Sequence, residues 1–171
     1  DLLGKRLARG LPHPVEAGHA ATGAGDDTAH GQVIICGFGR VGHQVARLLD
    51  AANQRWIATD LDSETIEQAR TRGQPVFYGD CSRAEILRAL GVDHAALVLI
   101  TLNDAGATER ALLAIRQLAP QARVIARAHD PAQAHALRLH GVLRAVPETI
   151  EYSLQFGLAA LQPSIGRLHH P

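Results

Sequence analysis

The chain has 171 residues, no methionine and only one lysine, Lys5, against sixteen arginines. A lysine-free body excludes Schiff-base chemistry, a phosphate-gripping P-loop and a Tyr/Lys reductase pair. Aromatic residues make up only 4% against 46% apolar in all. The core is therefore expected from Ala, Val, Leu and Ile, the composition of a buried parallel sheet between helices. Seventeen basic residues balance seventeen acidic ones with no basic stripe, so nucleic acid is not an expected partner. No apolar run approaches the ~20 residues of a membrane-spanning helix. The two cysteines, Cys36 and Cys81, have neither CxxC spacing nor a signal peptide upstream, which fits a reducing cytosolic setting. One domain's worth of residues is too little for a complete two-domain dehydrogenase. The first residue is Asp1, so either a segment of a longer protein or a removed initiator is expected.

Residues 1–31 differ from the rest. Asp1 to Leu11 fits a short amphipathic helix with Lys5, Arg6 and Arg9 close together, and a Pro/Gly/Ala/His stretch then runs to Gly31. Basic residues ahead of a flexible tether fit the cytosolic exit of a transmembrane segment, and equally a frayed terminus. From Gln32 to Leu161 short apolar runs alternate with helical periodicity, and residues 162–171 read as a tail. Strands are predicted at 33–36, 56–59, 75–78, 96–100, 124–126 and 143–146. Helices are predicted at 40–52, 63–72, from Ser82 towards Gly91, and over 105–118, 130–140 and 148–161. Ser82 and Glu85 have the spacing of a capping box, and Asp130-Pro131 that of a cap and first-turn proline. Six alternating strands predict an α/β, Rossmann-like doubly wound parallel sheet of order 3-2-1-4-5-6.

Ligands of such sheets bind beyond the carboxyl ends of the strands where the order reverses, here between strands 1 and 4. Strand 1 runs into Gly37-Phe38-Gly39-Arg40-Val41-Gly42, a GxGxxG turn opening a helix. The first glycine permits the tight turn, the second lets a pyrophosphate approach and the third lets helix and strand pack. Asp60, at the end of strand 2 and 18 residues past Gly42, is the candidate acid for the ribose hydroxyls; it favours NAD or AMP over NADP. Asp62 competes for that role but suits the cap of the next helix, with Ser63 the other candidate. Asp80 can accept from an adenine amino group or close a turn. Cys36 and Cys81, at the ends of strands 1 and 3, are expected ~9.6 Å apart as packing residues without a disulfide. Thr101 can donate to phosphate or ribose, and Asn103 or Asp104 can cap the long helix. Arg127 can clamp a phosphate or carboxylate or reach a partner's acid. Glu148 either complements a helix dipole or makes a regulatory contact. The ten histidines give no metal set, and no GxSxG, HExxH or Tyr/Lys pair points to catalysis.

The segments GQVIICGFGRVGHQVARLL, VFYGDCSR, LVLITLND, VIARAHD and VPETIEYSL, with Asp60, together resemble the RCK N-terminal (TrkA-N) domain over Gln32 to Leu161. They are most similar to the cytosolic domain of Kef-type monovalent cation:proton antiporters and potassium-efflux systems. The resemblance implies a non-enzymatic regulatory domain that binds NAD(H) or AMP/ATP and gates a membrane transporter. It assigns the phosphate loop to Gly37, Phe38, Gly39, Arg40, Val41 and Gly42, and the ribose acid to Asp60 with the adjoining Leu61. The adenine end falls on Asp80 and Cys81, the phosphate side on Thr101 and the cleft arginine on Arg127. It further implies a homodimer using the helix after Glu148, and an upstream transmembrane cation transporter domain. The place of such a domain is the cytoplasmic face of the inner (plasma) membrane. Glutathione control belongs to part of that family, and no residue here is assigned to it. The alternatives are a Rossmann enzyme fragment, either dehydrogenase or S-adenosylmethionine methyltransferase, and a pairing module with a vestigial pocket.

Overall fold

The computed structural model describes residues 31–161, without the side chains at 151, 155 and 158–161. Of the expected tether only Gly31 falls within that range, and the expected tail lies outside the described residues. Six strands form one sheet: β1 (Val33–Cys36), β2 (Trp56–Asp60), β3 (Val76–Tyr78), β4 (Leu97–Ile100), β5 (Val124–Ala128) and β6 (Arg144–Pro147). Their order is β3-β2-β1-β4-β5-β6 and every pair is parallel, as the alternation of strands and helices predicts. Parallel strands need crossovers, and the crossovers put helices on the sheet. These are α1 (Arg40–Ala51), α2 (Ser63–Thr71), α3 (Ala84–Ala89), α4 (Ala105–Leu118) and α5 (Pro131–Leu139), with α6 (Glu148–Leu161) closing the chain.

All four residues of β1 are buried, because side chains on both of its faces meet helices. On one face Ile34, Val98, Ile100 and Val124 pack with Leu87 of α3, Leu112 and Ile115 of α4 and Leu137 of α5. On the other, Val33, Ile35, Ala58 and Val76 pack with Ala46 of α1 and with Ile66 and Ala69 of α2. Two of the six aromatic residues pack here. The Phe38 and Trp56 rings stack 5.5 Å apart, and the Trp56 indole donates to Asp50 Oδ1 at 2.6 Å, tying the start of β2 to the end of α1. Among the described residues no helix is long and apolar enough to cross a membrane.

Capping follows the sequence at three helices and departs from it at one. Asp62 accepts from the amides of Glu64 and Thr65, Asp104 from that of Ala107, and Asp130 from that of Gln133. The expected capping box of Ser82 and Glu85 does not form. The helix starts only at Ala84, with Arg83 at the cap position and no side-chain cap. The physical cause lies one turn earlier: Asp80 takes the Ser82 amide at 2.8 Å and its carbonyl takes the Arg83 amide at 3.0 Å, so Ser82 sits inside a turn ahead of the helix instead of at its cap. A short 3-10 turn, Val92–His94, that the periodicity does not reveal follows Gly91, whose φ of 72° is left-handed.

The two sides of α4 give a direct test of this packing. Ile115→Ala, at a fully buried position, is expected to lower unfolding free energy by about 2–5 kcal/mol in urea titrations. Leu113→Ala, half-exposed on the same helix, should change it by roughly 0.5 kcal/mol or less. Equal losses would contradict the assignment of faces.

Candidate functional site

The turn from β1 into α1 holds three glycines that serve different ends. Gly37 has φ +99°, a conformation costly for any L side chain, and a Cβ there would meet Leu102 Cδ2 at 2.9 Å. At Gly42 a Cβ would lie 2.2 Å from the Gly37 carbonyl oxygen, so only glycine lets α1 sit this close to the turn. Gly39 differs. Its φ is −68° and, among the described residues, nothing lies within 4 Å of a Cβ placed on it, so none of them requires glycine at this position.

Gly39 is also the N-cap of α1, and no side chain caps the helix there. The first-turn amides of a helix have no partner within the helix and carry the positive end of its dipole. No acidic residue stands in that first turn; the exposed Arg40 does, although a cation at this end is unfavourable by itself. Uncapped amides, a bare glycine and an arginine together suit an anion. Of the other loop residues, Phe38 turns its ring into the core and Val41 is half-buried.

The peptide between Gly37 and Phe38 is held from both neighbouring strands. Its N–H donates to Asp60 Oδ2 at 2.5 Å, and its C=O accepts from the Thr101 hydroxyl at 2.6 Å. Asp60 Oδ1 also accepts from the amides of Leu61, at 2.7 Å, and Asp62, at 2.9 Å. Gly37, Gly39, Asp60 and Thr101 are thus brought into one constellation, with the exposed Leu61 beside it. Asp62 serves the α2 cap, and its hydrogen bond from Thr65 holds its carboxyl below the usual range.

At the end of β3 the distance expected between the cysteines is wrong. Cys81 lies three residues past that strand, and its loop folds back over β2. Its sulfur sits 2.9 Å from Thr59 Oγ1 and within hydrogen-bond contact of Cys36. Strand spacing governs residues in strands, not a residue in the following loop. Both thiols are free and buried, and the hydrogen bond to Cys81, then burial, push the Cys36 thiol well up. Asp80 closes the turn before α3. Desolvation pushes its carboxyl up, but the Ser82 amide and hydroxyl and the charges of Arg83 and Arg110 outweigh it and hold it below the usual range.

Arg127 leaves the end of β5 with its side chain only 9% exposed. It donates to Asn103 Oδ1, in the loop after β4, and pairs with Glu148, the first residue of α6, at 3.2 Å. His129 approaches the same carboxylate at 3.6 Å. Sequence reasoning placed Arg127 and Glu148 at strand ends without joining them. The signal was available, because in the predicted order β5 and β6 are neighbours, and the register Ala128↔Pro147 leaves the two side chains at one edge.

Also missed was a groove of about 520 Å³ between α1 and α2, beside the glycine turn, where His43, Arg47 and Arg72 join Arg40. A larger hollow, about 770 Å³, lies at the opposite end of the sheet around Gln32, Trp56 and Pro75, far from the glycine turn. Among the described residues no cluster of three or more His, Cys, Asp or Glu could hold a metal ion.

Comparison with known proteins agrees with this geometry. The TrkA-N domain profile matches residues 33–148. The chain is 36% identical over 135 residues to K(+) efflux antiporter 2, chloroplastic, of Arabidopsis thaliana, covering 79% of this chain and 12% of that protein. It is 36% identical over 136 residues to the glutathione-regulated potassium-efflux system protein KefC of Cronobacter sakazakii, covering 80% of this chain and 22% of that protein. The chain therefore spans less than a quarter of either relative's length. Among solved structures, the Shewanella denitrificans Kef CTD in AMP-bound form superposes with a TM-score of 0.65 at 30% identity, covering 80% of this chain and 82% of that one. The GsuK channel bound to NAD gives 0.64 at 25% identity, covering 82% of this chain and 25% of that one. With the profile spanning more than half of the sequence and the strand order of a nucleotide-binding sheet, this chain belongs to the TrkA-N domain family.

Proposed function

We propose that this chain is a nucleotide-sensing regulatory domain that binds NAD(H) or an adenine nucleotide at the β1/β4 crevice and gates a potassium-efflux or monovalent cation:proton antiporter. The observation that carries the proposal is Gly39, the one glycine of the turn whose Cβ would touch no neighbour among the described residues. An empty place above uncapped helix amides is what a phosphate group occupies. AMP in the Kef relative and NAD in GsuK support the choice of ligand. Asp60 would take the ribose hydroxyls with Leu61 alongside, which disfavours a 2′-phosphate. Arg40 and the amides up to Gly42 would take the phosphates, Asp80 and the Cys81 backbone would border the adenine, and Arg127 would stand at the crevice mouth.

No catalytic step is needed. A ligand that binds two arrangements unequally shifts their populations by its difference in affinity, without chemistry. The transporter would be an upstream membrane domain, placing this domain on the cytoplasmic face of the membrane. The domain would work as a homodimer. Ile150, Tyr152, Leu154 and Phe156 of α6 are all at least half exposed; Ile150 and Leu154 share one face and Tyr152 and Phe156 another, and a second copy would cover the face that carries Tyr152 and Phe156.

Replacing Gly39 by Asp separates ligand binding from folding. Asp is a good N-cap, so the melting temperature should hold or rise by a degree or two. Calorimetric affinity for AMP and NAD should nevertheless fall at least a hundredfold, through crowding and repulsion of the phosphate. Unchanged affinity would defeat the nucleotide reading, and selective binding of S-adenosylmethionine by the parent chain would replace it with a methyltransferase. Phe156→Asp, at an 81%-exposed position, should convert a dimer to a monomer in sedimentation velocity with unchanged secondary structure. A parent chain that sediments as a monomer would overturn the dimer.

A further inference from the structure

We infer that Thr101 is a positioning residue, which sets the orientation of the Gly37–Phe38 peptide and leaves the ligand to the amides that follow. The inference deepens the nucleotide-binding proposal and rests on it for its affinity arm. Its physical basis is proton counting. A threonine hydroxyl has one proton, and the Thr101 proton is directed at backbone carbonyls: Gly37 O at 2.6 Å and Cys36 O at 3.1 Å. While it is held there, the same hydroxyl does not donate to a phosphate oxygen, and phosphate has little to give its remaining lone pair.

Its contact is aimed at the peptide that decides how the turn behaves. Gly37 holds φ +99°, where glycine has little intrinsic bias against rotating its next peptide plane. Two side chains from different strands oppose that rotation: Asp60 of β2 grips the N–H at 2.5 Å, and Thr101, just past β4, grips the C=O. The Thr101 amide also donates to Cys36 O at 2.9 Å, which fixes its own backbone to β1 and leaves the side chain little freedom to drift. A flipped peptide would send a carbonyl dipole towards the place proposed for phosphate and withdraw the Phe38 amide from Asp60. The carbonyl being held is also the one that a Cβ on Gly42 would strike at 2.2 Å, so the position of this oxygen sets how closely α1 approaches the turn. Thr101 Oγ1 itself would be only 3.2 Å from that Cβ. One hydroxyl thus braces the turn and, through it, the first turn of the helix.

The test uses the 171-residue chain with Thr101→Val, which keeps the shape and removes the donor, and Thr101→Ser, which keeps the donor. Two readouts are needed: AMP affinity by calorimetry, and amide hydrogen exchange over residues 37–42 in the ligand-free protein. We expect the valine variant to lose about tenfold in AMP affinity, and its turn amides to exchange several-fold faster without ligand, while Thr101→Ser stays within about threefold of the parent in both. Weaker AMP binding with ligand-free exchange unchanged would make Thr101 a direct ligand contact and overturn the inference. Parent-like values for the valine variant in both measurements would overturn it too. Should Thr101→Val fail to fold, Thr101→Ala is read by the same pair of measurements. A parent chain that binds neither AMP nor NAD would sink the nucleotide proposal, and the ligand-free exchange would still decide the brace.

Discussion

The structure depends on one close approach: the Gly37 carbonyl oxygen lies where a Cβ on residue 42 would come within 2.2 Å. Any side chain at position 42 would push α1 off the end of β1, and with it the Ala46 contact that seals one face of the sheet. That closeness brings the helix's free amides directly over the end of the central strand. The crossover rule then places the crevice. Parallel strands all end on the same side, and β1 has β2 on one flank and β4 on the other, so the strand order reverses beside it. Asp60 and Thr101 come from those two neighbours and meet on a single peptide. The site is a consequence of strand order before it is a matter of side-chain choice.

This explains what the sequence could reveal. Strand order and nearly every element were legible because burial on two faces demands continuous apolar runs, and Val33–Cys36 and Leu97–Ile100 are such runs. Helix starts were legible wherever an Asp lay free to cap, as at Asp62, Asp104 and Asp130. Ser82 misled because a local pattern has no access to competition: Asp80 closes its own turn on the Ser82 amide. The cysteine distance misled for a related reason, since a loop residue is free to fold back and Cys81 did so onto Thr59. At the candidate site, residue types and spacing identified which groups are present, whereas the direction of a hydrogen bond was out of reach. Thr101 looks the same on paper whether its proton goes to a ligand or to Gly37.

Arg127 shows what a strand-end arginine does when its neighbours are included. Its guanidinium is nearly buried and ties three elements together through Asn103 after β4, its own strand β5 and Glu148 at the head of α6. Glu148 carries the charge opposite this guanidinium, and Asn103 supplies a neutral acceptor beside it. A charge-assisted hydrogen bond from a ligand oxygen supplies roughly 1.5–3 kcal/mol. A phosphate arriving at the crevice mouth would have to displace Glu148 from this guanidinium, which Asn103 also holds. Because Glu148 is the first residue of α6, its release would act on the helix that carries Tyr152, Leu154 and Phe156 at the surface. In the proposed regulatory domain, the same arginine would thus sense the ligand and hold the helix that reports it, with no catalytic group between them.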